Sequence, residues 1–230
     1  MEAKEVHAWL YRNGTRRTVA GMARFGIVAR QAYGVTMAQL LGLKKRIGKD
    51  HALAIELWES GWYEARLLAA LVGEPERLTR RQMNAWAAGF ENWADCDTAC
   101  FHLFDKSPFA WEKARQWAGS RHEFVKRGAF ALMASLALHD KAAAEAKFLA
   151  FLPLIESGAQ DERNFVRKGV SWALRGIGRR NQALHSAALV VARRLAQSVS
   201  AAPRWVGKDA LRDLASAKVA ARLARKRALA

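Results

Sequence analysis

Apolar positions along the chain recur every three or four residues, with almost no strict alternation of apolar and polar residues. This spacing is typical of amphipathic α-helices, and only four prolines interrupt it. Breaking residues divide the pattern into stretches that suit helices of about ten to eighteen residues. The predicted breaks lie at Gly14, residues 34–36, Gly61, residues 73–75, 107–108 and 139–140, Pro153 or Gly158, Asn181 and residues 203–204. The sequence therefore predicts an all-α fold.

One apolar stripe occurs twice along the chain, and its two copies are 41 residues apart. Both copies share the offsets 0, 4, 7 and 11 and consist of Val125, Ala129, Leu132 and Leu136, and of Val166, Val170, Ala173 and Ile177. A fainter third copy begins at Tyr63, and helices near residues 37–48, 109–119 and 142–156 would pack behind the three copies. A period near 41 residues with two helices per unit predicts a HEAT-like helical-repeat solenoid, an α-α superhelix.

Positive charge is in large excess, because 38 Lys and Arg stand against 21 Asp and Glu in 230 residues, a net charge of +17. This excess implies a polyanionic partner, with nucleic acid as the first candidate and a membrane surface as the second. No apolar run approaches the ~20 residues of a membrane-spanning helix. The N-terminus lacks the basic start and apolar stretch of a secretory signal, so we expect a cytoplasmic protein.

The predicted lining helices of the solenoid begin with basic residues at repeated positions. These are Arg66, Lys126, Arg127, Arg167 and Lys168. One helix of each pair lines a concave surface in such stacks, so we predict a basic concave face that binds phosphates. The alternative is a set of solvated surface charges without a partner. We predict one domain over residues 1–215 and a basic Ala/Lys/Arg-rich tail over residues 216–230, either a helix along phosphates or a solvated tail.

The two cysteines, Cys96 and Cys100, are four residues apart and share one face of a predicted helix. A disulfide there would close no long loop, so reduced and buried thiols are the simpler interpretation. With His102 they could contribute to a zinc site, but a fourth ligand is not evident and we predict no metal site.

Two tryptophans stand beside charged residues at helical spacing. Trp93 and Asp97 are four residues apart and Trp172 and Arg175 are three apart, so each pair shares a helix face. From spacing alone, an acid at a helix start is the more common role for Asp97, and a core ring beside a surface cation is an alternative for Trp172. Other tryptophans are expected in the core: Trp58, Trp62, Trp86, Trp111 and Trp117.

No glycine-rich phosphate loop, nucleophile elbow or histidine-rich metal motif is present. Three other segments are informative: residues 92–97 (Asn-Trp-Ala-Asp-Cys-Asp), 124–129 (Phe-Val-Lys-Arg-Gly-Ala) and 164–175 (Asn-Phe-Val-Arg-Lys-Gly-Val-Ser-Trp-Ala-Leu-Arg). Together they resemble bacterial DNA alkylation repair glycosylases of the AlkD family, which are HEAT-like repeat DNA glycosylases. The resemblance extends through residues 33–36, Leu40 and 54–66, and through 204–206 and 209–211, so it covers nearly the whole chain.

The resemblance implies a monofunctional hydrolase that excises purines alkylated at N3 or N7 from double-stranded DNA. It implies that the damaged nucleotide is not flipped into a pocket, unlike in most enzymes that act on bases. Asp97 would be the catalytic carboxylate, Trp93 and Trp172 the aromatic walls against the deoxyribose, and Arg127 and Arg175 the phosphate contacts. The resemblance further implies a bacterial, nucleoid-associated monomer. We expect no cofactor, no membrane association and no obligatory protein partner.

The residue types suit this chemistry. Alkylation at N3 or N7 makes the base cationic, so it is a good leaving group without a general acid. Cleavage builds positive charge on the sugar, and a fixed carboxylate with indole faces stabilises that charge more than the ground state. No lysine nucleophile is needed, so we expect base removal without strand cleavage.

One position departs from the family pattern, because Ala94 stands where the usual run Trp-Asp-x-x-Asp has its first acid, and Asp95 follows it. This change supports an alternative function, a HEAT-repeat protein that binds branched or distorted DNA without catalysis. A helical-repeat scaffold for protein partners is a third possibility, which suits the architecture but not the charge.

Overall fold

The computed structural model describes residues 1–228, with side chains to residue 225, and the regular secondary structure in that range is entirely helical. The described chain forms two compact units, Met1–Phe109 and a second unit that begins at Ala110. Within the described range no helix is long and apolar enough to cross a membrane. The predicted all-α class is confirmed.

The first unit consists of α-helices joined by short turns and by 3-10 helices at Ala23–Phe25, Pro75–Arg77 and Phe104–Lys106. Its α-helices are α1 (Ala3–Asn13), α2 (Arg16–Met22), α3 (Met37–Ile47), α4 (His51–Glu59), α5 (Tyr63–Val72), α6 (Arg80–Ala88) and α7 (Trp93–His102). Many of these helices begin at a polar side chain that accepts a backbone N–H of the first turn. Thr36 accepts the N–H of Gln39 at the start of α3, and Thr79 accepts that of Gln82 at the start of α6. Helix α5 is buried along most of its length and packs against α3, α4 and α7.

A buried carboxylate fixes the turn that precedes α3. Glu64 is fully buried and accepts the backbone N–H groups of Tyr33, Gly34 and Val35 at 2.8, 2.6 and 3.2 Å. Gly34 has φ of +85°, and a Cβ there would lie 2.1 Å from the carbonyl oxygen of Thr15. Only glycine therefore fits this close approach.

The second unit contains the longest helices. They are α8 (Ala110–Trp117), α9 (Glu123–His139), α10 (Glu145–Leu149), α11 (Leu152–Gly158), α12 (Asn164–Gly178), α13 (Gln182–Ala196), α14 (Ala201–Leu214) and α15 (Ala217–Ala228). Helix α12 packs closely against α9, while α8 packs against α9 and α11 packs against α12. The approach of α9 and α12 is tight, since a Cβ on Gly176 would lie 3.3 Å from the Cα of Ala134.

The predicted repeat is confirmed in this unit. Ala129, Leu132 and Leu136 of α9 and the whole stripe of α12 are buried, whereas Val125 is half-buried. The helices expected behind the repeats near residues 37–48 and 109–119 are α3 and α8. The one expected near 142–156 is two short helices, α10 and α11, because Pro153 occupies the first turn of α11, where a backbone N–H has no helical partner.

Several local predictions are corrected by the structure. The break predicted at residues 203–204 is wrong, since Pro203 lies inside the first turn of α14 and the break precedes Ala201. Trp58, Trp86 and Trp117 are buried as expected, but Trp62 and Trp111 are only half-buried. The predicted tail forms α15 and buries Val219 and Leu223, while residues 229–230 lie outside the described residues. The single domain predicted over residues 1–215 stays a prediction.

Candidate functional site

Helix α7 begins at a capping box that uses Asp95. The side chain of Asn92 accepts the backbone N–H groups of Ala94 and Asp95 at 2.9 and 3.2 Å. In return, the Asp95 carboxylate accepts the N–H of Asn92 at 3.2 Å, and also those of Glu91 at 2.9 Å and Cys96 at 2.7 Å. These bonds satisfy donors that a helix start otherwise leaves open, so Asp95 is the acid that holds the helix start.

Burial dominates the electrostatics of Asp95, whose side chain is almost inaccessible to solvent. Desolvation raises the pKa of Asp95 to about 7, against the opposing effect of its three backbone N–H donors and of the positive charge of Arg66. Desolvation by burial raises the pKa of Tyr63 well above its usual range, and the negative charge of Asp95 adds to this increase. Asp95 therefore occupies a closed environment rather than a surface accessible to a substrate.

Trp93 and Asp97 lie on the same face of α7, one turn apart, and both side chains are half-exposed. The indole N–H of Trp93 donates to the backbone carbonyl of Phe25 at 2.9 Å, which fixes the orientation of the ring. The two aspartates of this segment thus differ: Asp95 is enclosed by the helix start, and Asp97 is partly exposed one turn from Trp93.

Arg66 lies on α5 and contacts the segment that leads into α7. Its guanidinium donates to the carbonyl of Gly89 at 2.9 Å, lies 3.4 Å from the carboxylate of Glu91, and packs over the ring of Trp58. Its Nε is buried and has no hydrogen-bond partner among the described residues. These contacts hold Arg66 within the protein, and its predicted contact with DNA stays a prediction.

The basic pair at the start of α9 is engaged inside the second unit. Lys126 lies 2.9 Å from the carboxylate of Asp161, which also binds Arg163 at 2.6 Å. The Arg163 guanidinium, followed by Lys126, holds the pKa of Asp161 well below its usual range. Arg127 is buried and donates to the carbonyl of Phe165 at 2.6 Å. The phosphate contacts predicted for Lys126 and Arg127 are not tested by these contacts.

Helix α12 presents the second pair of candidate residues. Trp172 and Arg175 are half-exposed and share a face of the helix. Arg175 Nε lies 3.3 Å from the carbonyl of Ser171 and 3.7 Å from the carboxylate of Asp209, which also accepts the Ser171 hydroxyl at 2.6 Å. Asp209 was not among the predicted site residues, although Arg212 at i+3 is a signal for an ion pair there.

The second basic pair, at the start of α12, divides into one engaged and one exposed cation. The guanidinium of Arg167 lies 5.0 Å from the centre of the Trp205 ring, and its Nε is buried without a hydrogen-bond partner within the described part of the chain. Lys168 is exposed to solvent. Lys168 is therefore more accessible to an external anion than the other repeated cations of this unit, Lys126, Arg127 and Arg167.

The candidate residues are divided between the two units. Trp93, Asp97 and Arg66 lie in the first unit, and the other candidates lie in the second. In the first unit, α7 carries a partly exposed carboxylate and an indole one turn apart on the same face. The second unit places an indole, a half-exposed guanidinium and an exposed lysine along α12.

Comparison with known proteins identifies the class of this fold and then its family. A solved structure described as "A new family of proteins related to the HEAT-like repeat DNA glycosylases with affinity for branched DNA structures" matches with a TM-score of 0.76. The match covers 92% of this chain and 95% of that chain at 20% identity, so the fold is the HEAT-like repeat fold. The family model of the DNA alkylation repair enzyme matches residues 6–214, and the chain belongs to that family.

A curated relative in Listeria innocua has the name Uncharacterized protein Lin0241. It is 27% identical to this chain over 97 residues, which are 41% of this chain and 43% of the relative. The chain thus spans less than half the length of this relative. Membership of the family and the fold agree with the resemblance that the sequence alone indicated.

Proposed function

We propose that this protein is a DNA glycosylase that hydrolyses the N-glycosidic bond of purines alkylated at N3 or N7 in double-stranded DNA, without flipping the nucleotide. Membership of the DNA alkylation repair enzyme family and the net charge of +17 support this proposal. In this proposal the protein acts as a monomer on DNA in the bacterial cytoplasm, and it needs no cofactor.

The difference between the two acids of α7 carries the proposal. Asp95 is buried and accepts three backbone N–H groups, whereas Asp97 is half-exposed and lies one turn from Trp93. Asp97 is therefore the acid of this pair that a substrate could approach. Its position one helical turn from an indole suits a site that stabilises positive charge.

The proposed reaction begins with a base that already carries positive charge. The bond between C1′ and the base nitrogen breaks, and its electron pair goes to the base, which leaves as a neutral molecule. The sugar acquires oxocarbenium character, and the carboxylate of Asp97 and the face of Trp93 stabilise it more than the ground state. A water molecule oriented by Asp97 adds to C1′, and its proton passes through Asp97 to solvent.

The second unit supplies the other contacts in this proposal. Trp172 would pack against the deoxyribose of the lesion, and Arg175 and Lys168 would bind phosphates. Four more enclosed cations would add to the positive field along the DNA: Arg127, Lys126, Arg167 and Arg66. Selectivity follows from the leaving group, since an undamaged purine is neutral and leaves with difficulty.

The test is release of free 3-methyladenine or 7-methylguanine from methylated duplex DNA. We expect release by the wild type and at least about a 100-fold slower release by Asp97→Asn, which removes the charge but keeps the shape. Glu56→Gln, which neutralises an exposed acid on α4, is the matched control and should keep the wild-type rate. DNA affinity of Asp97→Asn should stay within about two-fold of the wild type.

Two results would contradict the proposal. A wild-type protein that releases neither base is no alkylpurine glycosylase, even if it binds DNA tightly. An Asp97→Asn variant with the rate of the Glu56→Gln control would remove Asp97 from the mechanism.

A second candidate function is binding of branched DNA without catalysis. It is favoured by the affinity for branched DNA stated for the similar solved structure and by Ala94 at the position of a family acid. Tighter binding to a four-way junction than to a duplex of equal length, with no base release, would support this function over the first.

A further inference from the structure

The turn that follows α2 exposes large apolar side chains to solvent. Phe25 is 59% exposed and Val28 is 73% exposed, in a protein whose other aromatic side chains are mostly packed. The guanidinium of Arg24 lies 4.8 Å from the centre of the Phe25 ring. An exposed aromatic ring beside a cation is a common element of surfaces that bind single nucleotides.

A cavity of about 300 Å³ opens beside this turn. Among its lining residues are two guanidinium groups, one hydroxyl and an apolar surface: Arg17, Arg24, Thr18, Met22, Phe25 and Ile27. Residues 15–31 contain four arginines and no acidic residue. The cavity therefore suits a ligand that is planar and apolar at one end and anionic at the other.

The turn is fixed to the start of α7 by its backbone. The carbonyl of Phe25 accepts the indole N–H of Trp93 at 2.9 Å, and the carbonyl of Val28 accepts the side-chain amide of Asn92 at 3.4 Å. The backbone N–H of Arg30 donates to the carboxylate of Glu91 at 3.2 Å. The cavity is thus held beside the helix that carries Trp93 and Asp97.

We propose that this cavity binds one unpaired nucleotide of DNA, with the base against Phe25 and the phosphate against Arg17. The cavity is small for a peptide segment, and its charge complements a phosphate. This inference deepens the proposed function, because it rests on DNA as the substrate, but it does not depend on base release. It gives the first unit a recognition element for distorted DNA beside the candidate catalytic helix.

The experiment compares binding of the full chain to two labelled duplexes of equal length, one fully paired and one with a single unpaired adenine. We expect the wild type to prefer the duplex with the unpaired adenine and Phe25→Ala to reduce this preference about ten-fold, which is within the range for loss of one base-aromatic stack. Phe25→Trp should keep the preference, since a larger ring still stacks. Tyr11→Ala removes an aromatic side chain that is 78% exposed on α1 and is the matched control, with the wild-type preference expected.

A photocrosslink gives an independent measurement. With 5-iodouracil at the unpaired position, we expect a crosslinked peptide that contains Phe25, and none from that peptide with the fully paired duplex. The proposal is overturned if the wild type shows no preference, if Phe25→Ala keeps it, or if Tyr11→Ala loses as much.

The result can be separated from the proposed chemistry by adding Asp97→Asn to the binding series. That variant should keep the full preference for the unpaired adenine. A wild-type protein that releases no alkylated base yet shows a Phe25-dependent preference would contradict the glycosylase proposal and leave this inference standing. A wild-type protein that releases alkylated bases but shows no such preference would contradict this inference and leave the glycosylase proposal standing.

Discussion

Two aspartates lie near the starts of α7 and α12, the helices that carry Trp93 and Trp172, and their surroundings differ. Asp95, in the first turn of α7, is enclosed in the protein and bonded to backbone N–H groups. Asp161, just before α12, is bonded to the side chains of Lys126 and Arg163 and accepts one backbone N–H, that of Arg163 at 3.1 Å. Burial raises the pKa of Asp95 to about 7, whereas the Arg163 guanidinium lowers the pKa of Asp161.

The same residue type thus has its pKa shifted in opposite directions, upward at Asp95 and downward at Asp161. In the first unit, the structural acid is enclosed, and the nearby Asp97 is left accessible. In the second unit, Asp161 pairs with Lys126 and Arg163, and Lys168 is exposed to solvent. The more exposed aspartate of the first pair thus lies on α7, and an exposed lysine lies on α12.

The largest effect is expected from titration of Asp95. The difference in unfolding free energy between the wild type and Asp95→Asn should fall by about 4 kcal/mol as the pH rises from about 4 to 8. The sign follows because the folded carboxyl keeps its proton up to about pH 7, while the unfolded one loses it near pH 4. Between these two values the folded state binds more protons than the unfolded state, so the free energy of unfolding falls as the pH rises. Urea unfolding at a series of pH values measures it. A difference that is constant or rises with pH would contradict the buried-acid interpretation.

The opposite and smaller trend is expected for Asp161. Its pKa is lowered in the folded protein, so its stabilising contribution is present above about pH 4 and is lost as the pH falls below that value. The difference between the wild type and Asp161→Asn should therefore decrease on acidification by about 1 kcal/mol, since the paired cations are partly exposed to solvent. The same urea series, with Asp95→Asn as the contrasting variant, shows whether the two signs differ.

The smallest effect concerns the proposed DNA contacts of the second unit. Lys168→Ala should weaken duplex binding about three-fold at low salt and make the log-log salt dependence less steep by about 0.9, as expected for one lost phosphate contact. Lys126→Ala is the matched control and should change the slope less, because Asp161 already neutralises that charge. Fluorescence anisotropy over a salt series distinguishes them. Equal changes in slope would show that the ion pair does not keep Lys126 from DNA.

Periodic patterns predicted the fold well because they report on burial along a whole helix. The stripe from Val166 to Ile177 is buried throughout, and its partner in α9 is buried at three of its four positions. Proline was less informative, since Pro153 and Pro203 both lie in first helical turns, where a missing N–H costs little. The sequence pattern could not show whether each proline ends a helix or stands near its start.

The site was predictable in part. The spacing of Trp93 and Asp97 placed both on one face, as α7 shows, but spacing could not assign Asp95 to the capping box and leave Asp97 accessible. That distinction depends on burial of Asp95 against the rest of the unit. The contacts of Arg127 and Arg66 depend on carbonyls of Phe165 and Gly89, which are 38 and 23 residues away along the chain. No local sequence pattern predicts a hydrogen bond to a carbonyl so far away along the chain.

The hydrogen bond from Trp93 to the Phe25 carbonyl limits what this indole can offer a ligand. Its N–H already has an acceptor within the protein, so the ring can present only a flat hydrocarbon surface and its π electrons. Such a surface responds to charge and shape but does not distinguish adenine from guanine by their edges. If Trp93 contacts the lesion, we expect it to accept different purines that share the positive charge of an alkylated base.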